Sequence, residues 1–292
     1  PEMSRGLGDV YKRQLEHHEE APSLKECLHL LATNRPLLML FLGNIFFVII
    51  KVSEQASFYF AYDALFNAKY NGFLDIAKAP GSFLAGIFVP IIIERLGRKA
   101  DSKKFYQACC VMGIVLNGLF ALCTYNGIMN KGAGQSVSLL TGLMVIVFSA
   151  VVTFPLEFKN LMQKEMEAET VDYVEWKTGK RVEGTMLSIM SFTGKLEGTL
   201  SSFICLQVLA RTGYVEHTTD VSTMQNHSTL LGLFLMTTVF PMVGYALMLI
   251  PMHFYNITGD SHRRMIKDIM ARRAQAGEAA AQEAVAAEAK EG

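Results

Sequence analysis

Six apolar blocks, each about as long as a lipid bilayer is thick, decide most of what this chain can fold into. They run roughly over Leu37–Tyr62, Phe73–Ile93, Phe105–Tyr125, Val137–Phe158, Thr185–Ala210 and Leu230–Phe254. Each reaches the ~20 residues that a helix needs to cross the hydrocarbon layer. Backbone polar groups in lipid must be satisfied within the segment, so blocks of this kind fold as helices. A large soluble helical bundle is the alternative, but its core helices would each keep a polar face, and these blocks mostly do not. The whole chain, 51% hydrophobic and 18% charged over 292 residues, is too apolar for an ordinary soluble domain. The expectation is an all-α membrane protein with a six-helix transmembrane bundle over residues 36–256.

Lys and Arg alternate along the connections in the manner that orients membrane helices. Lys25 and Arg35 precede the first span. Arg95, Arg98, Lys99, Lys103 and Lys104 follow the second, and Lys159, Lys164, Lys177, Lys180 and Arg181 follow the fourth. Arg263, Arg264 and Lys267 follow the sixth. The first, third and fifth connections are poor in basic residues, so both termini are expected in the cytoplasm. The formal net charge is zero and the cations are spread over loops, which leaves no nucleic-acid surface.

Outside the spans, the segment Asp9-Val-Tyr-Lys-Arg-Gln14 matches one reading frame of a transposase sequencing adapter, so residues 1–14 are read as an artefact outside the fold. Residues 15–35 form a cytoplasmic amphipathic segment. In it Ser23 caps a short helix with Glu26 three residues on, and Leu24, Cys27, Leu28 and Leu31 share a face. The Arg35-Pro36 step ends that helix and starts the first span. Residues 257–292 are a cytoplasmic tail, Ala- and Glu-rich from Ala274 onward.

The chemistry-bearing residues lie inside the spans. Lys195 sits midway along the fifth, where an ammonium costs roughly 3 kcal/mol on insertion scales. Ser188, Ser191, Lys195, Thr199 and Ser202 recur at steps of three or four and make one helical stripe. Such a stripe suits a watery cavity holding a polyhydroxylated ligand or a coupling ion; hydroxyls alone would equally serve as packing glue. Gly194 and Gly198 permit close helix approach, and Glu197 points away from Lys195. In the first span, Lys51 and Glu54 share a face and could neutralise each other, as a salt bridge or as part of a polar pathway. Tyr59 and Tyr62 near its outer end are either interfacial aromatics or a surface for a sugar ring. Asp75 and Lys78 are read as snorkelling to the interface. The five cysteines lack metal-ligand spacing, and no phosphate-cradling Gly-rich motif or His-Glu-x-x-His pattern occurs. An enzyme, a metal site and an ATP-driven pump are therefore not expected, and any transport would draw on an ion gradient.

The fourth connection is dense in charge, and its order is specific: Asp172-Tyr-Val-Glu-Trp-Lys-Thr-Gly-Lys-Arg-Val-Glu-Gly184, followed by Ser191-Phe-Thr-Gly-Lys195. This stretch resembles the signature of the glycoside–pentoside–hexuronide:cation symporters, the melibiose-permease-like branch of the major facilitator superfamily. Gly213-Tyr-Val and Tyr255-Asn-Ile-Thr-Gly-Asp-Ser-His-Arg-Arg264 are similar to the same family, and the resemblance runs from about Asn34 to Met270. It implies a twelve-helix fold of two six-helix halves with substrate between them. This chain matches the C-terminal half, and the N-terminal six-helix half is missing. Carried over, Lys195 is the lysine near the sugar and cation sites, Tyr59 and Tyr62 fall at the outer end of the seventh helix, and Asp172, Glu175, Lys177, Arg181 and Glu183 belong to a cytoplasmic gating loop. The resemblance further implies a sugar or sugar-acid substrate, Na+ or H+ as coupling ion with no other cofactor, and a bacterial inner membrane. Ser191, Thr199, Lys51 and Glu54 complete the candidate binding set. The competing class is a non-transporting six-span subunit or scaffold that homodimerises.

Overall fold

The computed structural model describes residues 23–67, 69–96, 101–131, 135–179, 182–216 and 224–291. The adapter-like stretch 1–14 and Arg181 lie outside the described residues.

Helix α1 (Leu24–Thr33) begins with the capping box its sequence suggested. Glu26 N donates to Ser23 Oγ at 3.3 Å, and Ser23 N donates to the Glu26 carboxylate at 2.9 Å. Asn34 then caps α2 (Arg35–Tyr59) by accepting from Leu37 N at 3.3 Å, with Pro36 in the first turn where its missing N–H is harmless. A π-helical turn, Phe60–Ala64, extends α2, and Lys131 donates to the Ala64 carbonyl at 2.6 Å. The helices that follow are α3 (Lys69–Leu96), α4 (Ser102–Met129), α5 (Leu139–Thr178), α6 (Glu183–Thr212), α7 (His227–Phe254) and α8 (Gly259–Glu291). No strand occurs among the described residues.

Helix α7 packs between α2 and α4, α6 lies against α2, and α3 lies against α5, which in turn packs on α4. Two glycines mark close approaches of α7 to its neighbours. An added Cβ would stand 2.5 Å from the Tyr245 ring at Gly113, and 2.6 Å from the Ile50 side chain at Gly244. Gly194 and Gly198, expected to permit such an approach, have nothing within 4 Å of an added Cβ and face away from the bundle. Two large clusters and a smaller third make up the buried core. One of the large clusters surrounds Tyr106, Phe158, Tyr245 and Tyr255, and the other Phe60, Phe120, Cys205 and Leu233. Large apolar side chains such as Leu122 and Leu139 remain 77% and 85% exposed, a surface that suits lipid rather than water. Among the described residues, α2 with its π turn, α4, α5 and α7 are apolar and long enough to cross a membrane.

Two expectations change. The charged connection after the fourth apolar block is mostly not a loop: α5 continues through it, reaching 40 residues in all, about 60 Å, before Gly179 stops it at φ 71°. The reason lies in the spacing, because Met162, Met166, Thr170 and Val174 recur every four residues and are buried, and no Gly or Pro interrupts them. Helix α1 docks through Cys27, Leu30 and Leu31 onto Leu37, Val171, Met186 and Ile189, leaving Leu24 and Leu28 exposed. Helices α1 and α8 therefore meet the bundle at the same end, around the junction of α5 and α6.

Candidate functional site

Between α2, α3 and α5, with Phe120 and Thr237 beneath, lies a cavity of about 330 Å³. Its walls carry Glu54, Glu157, Lys78 and a set of hydroxyls that includes Ser53, Ser57, Ser82 and Thr153. Ser53 and Thr153 donate to carbonyls of their own helices, Ile50 and Ser149, at 2.8 Å each, which leaves their oxygens free to accept. Ser82 Oγ and Asn160 Nδ2 approach the two oxygens of Glu157 at 3.4 Å each, and Lys78 pairs with Asp75 at 3.3 Å. Carboxylates, an ammonium and hydroxyls converging on a half-open pocket can hold a polyhydroxylated ligand or a cation. Lys78, read from the sequence as a snorkelling residue, lines this cavity.

A second polar cluster joins α2, α4, α5 and α6. Lys51 Nζ lies 3.3 Å from Glu197 Oε2 and 5.7 Å from the centroid of the Phe47 ring. Lys159, fully buried, sits over the same ring at 3.7 Å and 5.9 Å from the Tyr106 ring. It donates to Gln163 Oε1 at 3.2 Å, and Gln163 Nε2 in turn donates to Asn44 Oδ1 at 2.8 Å and Glu167 Oε1 at 3.1 Å. Lys51 was expected to neutralise Glu54. It takes Glu197 instead, because α6 brings that nearly buried carboxylate against α2, whereas Glu54 lines the cavity with α3 and α5.

The remaining predicted residues are distributed as follows. Ser191, Lys195 and Thr199 lie exposed on the outer face of α6, with Thr199 Oγ1 donating to the Lys195 carbonyl at 3.0 Å. Among the described residues the Lys195 ammonium has no ion pair. Tyr59 packs edge-on against Tyr214 at 5.4 Å, and Tyr62 stacks on Phe58 at 6.0 Å. Neither ring is among the residues that line the cavity with Glu54.

The predicted gating residues dock α8 onto α5. His262 Nε2 and Asp172 Oδ2 are 2.9 Å apart, and Arg273 Nε donates to Glu175 Oε1 at 3.0 Å. Trp176 Nε1 donates to Asp268 at 3.0 Å, and Arg272 donates to the Trp176 carbonyl at 2.8 Å. Lys177 lies over the Tyr173 ring at 5.9 Å, and Glu183 opens α6. The hydrogen bond to Asp172 raises the His262 pKa above its ordinary value. Just above this dock, Glu169 receives Ser102 Oγ at 2.8 Å and the Tyr255 hydroxyl at 3.2 Å.

Sequence reasoning missed Glu157, Ser82, Lys159, Gln163 and the role of Glu197. A signal existed for Lys159: it stands four residues before Gln163 and beside the buried row of Phe158, Met162 and Met166 on α5, a row visible only once the helix is known to continue.

A model of the family described as MFS/sugar transport protein matches residues 9–259. The uncharacterized symporter YjmB of Bacillus subtilis is 25% identical over 253 residues, covering 86% of this chain and 50% of that protein. A Salmonella typhimurium protein named as a 2,3-dihydroxypropane-1-sulfonate exporter is 27% identical over 264 residues, 87% of this chain and 50% of that protein. The glucuronide carrier protein homolog of Escherichia coli is 24% identical over 250 residues, 85% of this chain and 50% of that protein. The chain spans about half the length of the curated relatives it matches, and those relatives are transporters rather than enzymes.

Proposed function

Because the chain belongs to the MFS/sugar transport protein family, we propose that it forms the C-terminal six-helix half of a secondary transporter that carries a polyhydroxylated sugar derivative together with Na+ or H+ by alternating access. The observation that carries this reading is the cavity between α2, α3 and α5, where Glu54, Glu157, Lys78 and several hydroxyls converge. Its hydroxyl oxygens accept from the hydroxyls of a sugar, and its carboxylates offer the oxygen ligands that hard cations take. The exposed stripe of Ser191, Lys195 and Thr199 fits a face turned toward a second six-helix half, where its ammonium would meet water and substrate instead of lipid. In a bacterial inner membrane, the end bearing α1, α8 and the basic connections faces the cytoplasm.

The test is uptake. The natural reading frame containing this chain is expressed in a bacterial strain that does not take up glucuronides. Accumulation of 4-nitrophenyl β-D-glucuronide and of the corresponding glucoside is then followed under an imposed Na+ or H+ gradient. Gradient-driven accumulation of at least one, lost in Lys195→Ala, is expected. Absence of accumulation under either gradient, or full uptake in Lys195→Ala, sinks the reading.

A further inference from the structure

Two ammonium groups on the α2–α5–α6 face share one carboxylate. Lys51 and Lys159 lie against the same Phe47 ring, at 5.7 and 3.7 Å, but among the described residues only Lys51 has a carboxylate within ion-pair distance, Glu197 at 3.3 Å. The one hydrogen-bond acceptor of Lys159 among the described residues is the amide oxygen of Gln163. The other groups near Lys159 do not balance it. From α4 come Tyr106, Cys109 and Cys110. From its own helix come Glu167, held by Lys164 at 2.9 Å and by Gln163, and Glu157, held by Ser82 and Asn160. Enclosing an ammonium without a carboxylate is costly, because the interior cannot replace its hydration. Glu197 interacts electrostatically with Lys51 and Lys159 alike.

Accessibility separates the two cations. The Lys51 side chain is 27% exposed, whereas Lys159 is wholly enclosed, so a ligand can reach the first and not the second. We propose that Lys51 receives the acidic group of an anionic sugar, a carboxylate or sulfonate, and that this group displaces Glu197 toward Lys159. Before the exchange the cluster holds one ion pair and one ammonium without a carboxylate; afterwards it holds two ion pairs. A neutral sugar cannot complete the exchange, so the cluster selects for substrate charge. The Lys51–Glu197 pair also bridges α2 to α6, and its exchange unlatches those helices when an anionic substrate arrives.

This inference rests on the sugar-transport reading and names the substrate class within it. The test uses the same natural reading frame in sealed membrane vesicles. Initial rates are compared for 4-nitrophenyl β-D-glucuronide and 4-nitrophenyl β-D-glucopyranoside. In the unaltered protein the KM for the glucuronide is expected to be at least tenfold below that for the glucoside. Lys51→Gln should reduce that preference about tenfold through KM, with Lys51→Arg restoring part of it. Glu197→Gln removes the group that competes for Lys51, so it should lower the glucuronide KM while slowing turnover. A structural bridge would not produce that split. Equal KM increases for both substrates in Lys51→Gln, or a raised glucuronide KM in Glu197→Gln, overturn the inference.

If the single variants fail to fold, the double variant Lys51→Glu with Glu197→Lys keeps an α2–α6 ion pair. It should elute as the unaltered protein does in detergent and lose its glucuronide preference; retained preference overturns the inference. Glucoside uptake with no preference for glucuronide refutes the charge selection alone. Uptake of neither compound refutes the transport reading and this inference with it.

Discussion

The Glu169 carboxyl is a sharp test of how α4, α5 and the end of α7 are held together. Glu169 is 6% exposed and receives two side-chain donors from different parts of the chain, Ser102 at 2.8 Å and Tyr255 at 3.2 Å. The Tyr255 hydroxyl also lies 3.3 Å from the Met166 carbonyl, and with a single proton it serves one acceptor at a time. Tyr255→Phe keeps the ring, 1% exposed, and deletes only the hydroxyl. A buried hydrogen bond contributes about 1–2 kcal/mol, and the longer, shared geometry places Tyr255→Phe near the bottom of that range and Ser102→Ala near the top. Each single variant leaves Glu169 one donor. The double variant leaves none, so it should exceed the additive loss by about 1 kcal/mol, a roughly fivefold further shift in the unfolding equilibrium. Trp176 is the only tryptophan in the chain and lies on the adjoining α5–α8 dock, so its fluorescence reports denaturant unfolding in detergent micelles directly. Strict additivity would mean that water replaces either donor without loss, and the carboxyl would then not be the clasp described here.

Two further outcomes follow from the packing. Asp172 raises the His262 pKa, so the folded value lies above the ordinary 6.5 and the imidazolium favours the docked state. That contribution is complete below about pH 6.5 and is lost as pH rises through the raised folded value. Amide exchange in α8 should therefore quicken over that interval, and the pH dependence should vanish in His262→Gln; unchanged dependence in that variant would remove the imidazole from the account. Gly113→Ala places a Cβ 2.5 Å from the Tyr245 ring and should destabilise by about 1–3 kcal/mol in thermal unfolding. Gly118→Ala meets only the Met242 sulfur at 3.7 Å and should be close to neutral, so equal losses at both positions would contradict the packing described.

The apolar helices were legible in the sequence because lipid imposes a local rule: a spanning segment must satisfy its own backbone and show apolar side chains. The same locality made the Ser23–Glu26 capping box and the Arg35-Pro36 break readable, since each is settled within four residues. Lys159 illustrates what local rules miss. It follows the fourth apolar block directly and counts, by position, as one more basic residue beyond the membrane. Its enclosure depends on α5 continuing for nineteen residues past it and on Phe47 and Tyr106 arriving from two other helices. Lys51 shows the same limit differently. Spacing places Glu54 on its face, yet α6 supplies Glu197, a partner 146 positions further along the chain, and no periodicity reports that choice. The stripe of Ser191, Lys195 and Thr199 was readable as a stripe, but its exposed setting acquires a purpose only beside another surface. The residues that sequence placed correctly are thus those whose environment is set by the bilayer or by their own helix. The cavity and the ion cluster are built where three or four helices meet, and there the partner, not the pattern, decides what each side chain does.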